Sequence, residues 1–131
     1  MNSIRVLLID DEVDYTATLG KRLDRRGSSI RTVGGGAEAL AALAAEEAEV
    51  VLLDIKMAGM DGIKTLQEIK RCHPAVEVIM LTAHANTDIV ISSLAMGAFD
   101  YLLKPVNLDD LAAKIEEGAM RRKHNLELGA R

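Results

Sequence analysis

The sequence predicts an α/β protein: one doubly wound, five-stranded parallel sheet with helices on both faces. Three observations carry that expectation. Five short apolar runs rich in β-branched residues alternate with segments of helical period. The first, third and fourth runs are almost continuously apolar, the signature of strands buried on both sides. Strand–helix alternation repeated five times calls for right-handed crossovers that place helices above and below one sheet.

Element by element, the first strand is Ile4–Ile9, followed by a helix with a loose stripe at Val13, Ala17, Gly20 and Leu23. Gly27 follows Arg25 and Arg26, where a left-handed helix cap is expected. The second strand is Ser29–Val33. The triple glycine 34–36 lacks the Lys-Ser/Thr of a phosphate-binding loop and reads as a flexible turn. Ala37, Leu40, Ala41 and Ala44 stripe the next helix, and Val50–Leu53 is the third strand. Ile63, Leu66, Ile69 and Cys72 mark the third helix, and Val76–Leu81 the fourth strand. Thr87–Met96 is apolar but poorly striped. That fits either a buried helix or one that keeps residues such as Val90 or Ile91 exposed for a partner. Gly97 ends it, and the weaker run Phe99–Leu103 is the fifth strand. Asn107 caps a last helix striped at Leu108, Leu111, Ala112, Ile115 and Ala119, with Asp109 and Asp110 in its first turn.

The 131 residues suit a single domain that buries roughly two-thirds of its unfolded surface. Aromatics are 2%, so the core must be aliphatic; the scattered methionines read as core filler. Net charge is −4, and the stretch from Met120 carries four cations against one carboxylate, which leaves the body near −7. Such a body does not suit direct binding of nucleic acid. Cys72 is the single cysteine, no run approaches the ~20 apolar residues of a membrane span, and no signal segment is visible; a cytoplasmic location is expected.

Ligands of open α/β sheets bind beyond the carboxyl ends of the strands. Just after the apolar runs stand Asp10 and Asp11, then Asp54, then Thr82, then Lys104 with Pro105. Each alone is an ordinary strand-end residue. Together they bring three carboxylates, a hydroxyl and an ammonium to one sheet edge. Clustered carboxylates raise one another's pKa, a cost that a hard cation relieves. Mg²⁺ suits one or two carboxylates, retained waters and the oxygens of a phosphoryl group.

The chain resembles the receiver domains of two-component response regulators, in the chemotaxis-type, CheY-like form. The resemblance rests on Ile9-Asp10-Asp11-Glu12, Leu53-Asp54-Ile55-Lys56-Met57, Met60-Asp61-Gly62, Leu81-Thr82-Ala83 and Tyr101-Leu102-Leu103-Lys104-Pro105, in the family's order and spacing over nearly the whole chain. It implies a flavodoxin-like strand order 2-1-3-4-5 and a receiver domain over 1–120, with 121–131 a basic tail or the start of a linker. It implies that Asp54 accepts a phosphoryl group from the phosphohistidine of a sensor kinase or phosphotransfer protein. Asp11 and Asp54 would bind Mg²⁺ directly (Mn²⁺ able to take its place), Asp10 largely through water, and the Lys56 carbonyl would complete the shell. Lys104 would pair with a phosphoryl oxygen across a cis Lys104–Pro105 bond. Thr82 and Tyr101 would be the switch pair, altering the face of the fourth strand, fourth helix and fifth strand for an output domain, a target or a phosphorylation-dependent homodimer.

Met57, Ala83, His84 and Pro105 would border the site, with Lys56 and His84 tuning hydrolysis of the phosphoryl group. Ala58 stands where the family usually has Pro, so that loop is expected to be less rigid. His84 reads as a partly exposed loop residue ahead of a metal ligand or phosphodonor, and neither His73 nor His124 has a second ligand at metal-binding spacing. Three other readings compete with this one. A haloacid-dehalogenase phosphatase needs Asp-x-Asp at its first strand, which Asp10-Asp11-Glu12 does not supply. A flavodoxin-like FMN carrier would find Asp11, Glu12 and Asp14 repelling its phosphate. A docking module that no longer takes phosphate remains the alternative function.

Overall fold

The computed structural model describes residues 3–55, 60–83 and 87–129, excluding the side chains of Ile55, Met60, Asp61 and Thr87. In chain order the elements are β1 (Ile4–Ile9), α1 (Val13–Arg25), β2 (Ser28–Val33), α2 (Gly36–Ala45), β3 (Val50–Ile55), α3 (Met60–Cys72), β4 (Glu77–Thr82), α4 (Thr87–Ala95), β5 (Asp100–Leu103) and α5 (Leu108–Gly129). The strands form one parallel sheet in the order β2-β1-β3-β4-β5, as expected.

Side-chain alternation divides the core in two. Leu7, Ile9, Val51, Leu53, Val78 and Met80 face α2 and α3, where Ala39, Leu43, Leu66 and Ile69 meet them. Val6, Leu8, Val50, Leu52, Ile79 and Leu81 face α1 and α5, against Leu19, Leu23, Leu111, Ile115 and Ala119. Leu52 sits between Leu8 and Ile79 in register and is fully buried. Truncating it opens a cavity that the flanking strands cannot close, so Leu52→Ala should cost about 3 kcal/mol. The exposed Ile91→Ala should change stability by less than about 0.5 kcal/mol. Urea unfolding of the two variants checks the contrast.

Several sequence expectations shift. The third and fourth strands run to Ile55 and Thr82, so Asp54 and Thr82 belong to the strands and do not merely follow them. In α1 the buried stripe is Thr16, Leu19 and Leu23, while Val13 is 76% exposed at the carboxyl edge. In α2 it is Ala39 and Leu43, not the alanines at 37, 41 and 44, because a run of alanines fits several helical phases equally. Cys72 is exposed at the end of α3. The poor striping of α4 has a cause: its buried position is Ser93, which donates to the Ile89 carbonyl at 2.8 Å, while Ile91 and Leu94 are exposed.

The caps follow the sequence. Gly27 and Gly97 take φ of 95° and 106°, where a side chain would be strained. The Asp110 amide donates to Asn107 Oδ1 at 3.0 Å, closing the N-terminus of α5. Gly36 is required by packing instead: a Cβ there would stand 2.5 Å from Thr65 Oγ1, where α2 approaches α3. No helix among the described residues is long and apolar enough to cross a membrane.

Candidate phosphoacceptor site

Alternation places the site. Asp10 continues the β1 face of Val6 and Leu8, Asp54 that of Val50 and Leu52, and Lys104 that of Leu102, so all three lie toward α1 and α5. Lys104 Nζ sits 2.6 Å from Asp54 Oδ1 and 3.5 Å from Asp10 Oδ2. Asp10 is held through both backbone and side chain: its amide donates to the Val33 carbonyl at 3.1 Å, and its Oδ1 accepts the Glu12 amide at 2.9 Å. The Lys104 amide donates to the Thr82 carbonyl at 2.7 Å, which ties the chain just after β5 to the end of β4. The Lys104–Pro105 bond is cis, as expected.

The electrostatics follow from burial and company. Removal from water raises the Asp54 pKa; the Lys104 hydrogen bond opposes this, and the charge of Asp10 adds to it. Burial alone would lower the Lys104 pKa, but its bond to Asp54 and the charges of Asp54 and Asp10 raise it, so the lysine is firmly cationic.

Asp10 Oδ2 is buried and has no hydrogen-bond partner among the described residues, its only close cation being Lys104 at the long distance given above. A buried carboxylate oxygen with spare acceptor capacity, beside a second carboxylate with a raised pKa, suits a hard cation. Among the described residues no three acidic, histidine or cysteine side chains stand close enough to hold a metal unaided. That is the donor poverty Mg²⁺ tolerates, since it keeps waters and shares substrate oxygens.

The remaining candidates divide. Asp11 is exposed at the start of the β1–α1 connection. Thr82 is buried at the tip of β4, on the same strand face as Met80. Tyr101 pairs with Met80 across the sheet and packs half-buried against the α2–α3 core cluster together with Ile89 of α4. Thr82 and Tyr101 therefore share the face opposite to Asp10, Asp54 and Lys104. Ala83 and Pro105 are exposed at the same edge. Lys56, Met57, Ala58 and His84 lie outside the described residues.

Residues 6–116 match the family model of the response regulator receiver domain. The chain belongs to that family. The receiver domain is 41% identical over 111 residues to the DNA-binding transcriptional regulator NtrC of Escherichia coli K12, an overlap of 85% of this chain and 24% of that protein. It is 34% identical over 126 residues to the transcriptional regulatory protein ZraR of the same organism, covering 96% of this chain and 28% of that protein. It thus spans about a quarter of the length of these relatives. Among solved structures, the receiver domain of NtrX from Brucella abortus superposes with a TM-score of 0.81 at 34% identity, covering 88% of this chain and 98% of that one. A CheY-like receiver domain protein from Methanospirillum hungatei JF-1 gives 0.86 at 29% identity, covering 95% and 99%. By family, the receiver domain is a signalling phosphoacceptor module of a two-component system.

Sequence reasoning missed Tyr15. Its ring centroid is 4.7 Å from Lys104 Nζ, and the ring packs against the α1–α5 core cluster. One of only two tyrosines, five residues past Asp10, it was the available signal. Glu77 was missed too: it is buried at the start of β4 with Lys70 and Arg121 at 3.9 and 3.7 Å, inside a run read as apolar.

Proposed function

We propose that Asp54 accepts a phosphoryl group from a phosphohistidine of a sensor kinase or phosphotransfer protein, and that this switches the β4–α4–β5 face. The observation that carries the reading is the Asp54–Lys104–Asp10 constellation at the carboxyl edge of the central strands. A carboxylate oxygen of Asp54 attacks phosphorus in line, the P–N bond to imidazole breaks, and the electron pair leaves on the imidazole nitrogen. The transfer needs no separate base, only positioning and charge stabilisation.

Asp10, Asp11, Asp54 and the Lys56 carbonyl would hold Mg²⁺, or Mn²⁺ in its place. When bound, the ion neutralises charge on the transferring group and orients it. Lys104, freed from the carboxylate, pairs with a phosphoryl oxygen. The product carries about −1.5 to −2 charge on its phosphoryl group where the carboxylate carried one, and it adds three acceptor oxygens. Those acceptors reward movement of the Thr82 hydroxyl toward the edge, and Tyr101 on the same strand face moves inward to fill the space. Exposed Ile91 and Leu94 on α4 and Leu103 on β5 give the altered face an apolar surface for a reader.

NtrC and ZraR carry regulatory names, and NtrC is a DNA-binding transcriptional regulator. By that likeness the output is transcriptional, with DNA contacted elsewhere than in this acidic domain. Incubating the protein with acetyl phosphate and following intact mass tests the reading. One phosphoryl group should be gained with Mg²⁺ and none with EDTA. No gain under either condition would favour a docking module that does not use phosphate.

A further inference from the structure

We propose that Tyr15 is a positioning residue for Lys104: its ring holds the ammonium over Asp54 and so sets how fast the site takes phosphate. The proposal rests on the phosphoacceptor reading and adds a residue to it.

Among the described residues, three groups surround the ammonium. Asp54 Oδ1 lies at 2.6 Å, Asp10 Oδ2 at 3.5 Å and the Tyr15 ring centroid at 4.7 Å. The lysine side chain is 19% exposed, so the contact is substantially desolvated, the condition under which a cation–π contact is strongest. The three partners differ in one respect that matters. Both carboxylates would change role in the reaction, since Asp54 becomes an acyl phosphate and Asp10 would help to hold the cation. The ring does not change. It is also anchored, because α1 packs Tyr15 on the aliphatic cluster of Leu19, Leu23 and Leu111. A flexible four-carbon lysine otherwise follows whichever acceptor is nearest. With the ring beside it, the ammonium stays at the site while its acceptor passes from carboxylate to phosphoryl oxygen.

A purely structural role for Tyr15 makes different predictions, and three variants separate them. Tyr15→Leu keeps apolar bulk but removes the π face; Tyr15→Phe keeps the face and removes the hydroxyl. With acetyl phosphate and Mg²⁺, Tyr15→Phe should label within about twofold of wild type and Tyr15→Leu about threefold to tenfold more slowly. In a Lys104→Met background Tyr15→Leu should cause no further slowing, because the effect passes through the ammonium. Equal slowing in both backgrounds, or a Tyr15→Phe variant as slow as Tyr15→Leu, overturns the proposal. A second readout requires no phosphorylation: the Lys104 Hε protons should show an upfield ring-current shift by NMR in wild type and Tyr15→Phe, lost in Tyr15→Leu. Absence of that shift in wild type sinks the Tyr15 proposal alone, whereas failure of wild type to gain phosphate sinks the phosphoacceptor reading.

Discussion

An Asp54→Asn chain incubated with acetyl phosphate and Mg²⁺ should gain no phosphoryl group, and it should also be more stable than the wild type. The first result follows from the amide, which lacks the nucleophilic oxygen pair. The second follows from burial. Because removal from water raises the Asp54 pKa despite Lys104, the ionised form is held at a net cost in the folded state. Between the ordinary carboxylate pKa and the raised folded value, the native state binds more protons than the unfolded state, so stability falls as pH rises through that window. Above it the cost is fully present; below it, absent. The variant should therefore be the more stable chain at neutral pH in metal-free buffer, with the higher Tm. The gain should shrink towards zero as pH falls through the window. Thermal melts across a pH series check this. A variant that is inactive and also destabilised at neutral pH would mean that Asp54 is a structural residue.

Removing the cation should do the opposite. Lys104→Met leaves Asp10 and Asp54, with side chains 0% and 5% exposed, facing each other without a positive charge between them. Stranding buried carboxylates costs several kcal/mol. Since the lysine is itself partly solvated, about 2 to 3 kcal/mol of lost stability is expected in metal-free buffer. Mg²⁺ should restore more stability to this variant than to wild type, because ligand binding to the native state alone adds stability by mass action. Labelling by acetyl phosphate should slow on the order of 10²-fold, the usual consequence of losing one preorganised donor to the transferring group. Denaturant titration with and without Mg²⁺, together with labelling rates by intact mass, gives both numbers. Labelling at wild-type speed would remove Lys104 from the chemistry.

The fold was legible where one force dominated. Val6–Ile9, Val50–Leu53 and Val78–Leu81 are apolar on both faces because helices cover both, and no other element reads that way. Asn107, Gly27 and Gly97 were legible because capping and positive φ depend on local chemistry. Helix phase was less so. The alanines of α2 satisfy several stripes, and only packing against the sheet selects Ala39 and Leu43.

The candidate site was legible as a list of strand ends, since topology alone brings strand tips together. What strand ends cannot report is a helix residue reaching across to the edge, which is why Tyr15 escaped. Glu77 escaped for a related reason. A buried carboxylate flanked by Val76 and Val78 looks like an interrupted strand until Lys70 of α3 and Arg121 of α5 are seen beside it.

The atom that receives phosphate decides the rest. The most direct measurement is peptide mapping of the wild-type chain after labelling with acetyl phosphate and Mg²⁺, with the acyl phosphate trapped by borohydride reduction before digestion. The modification is predicted at Asp54 alone. A modification mapped to Asp10, Asp11 or His84, or a labelled chain in which Asp54 is unmodified, would contradict it.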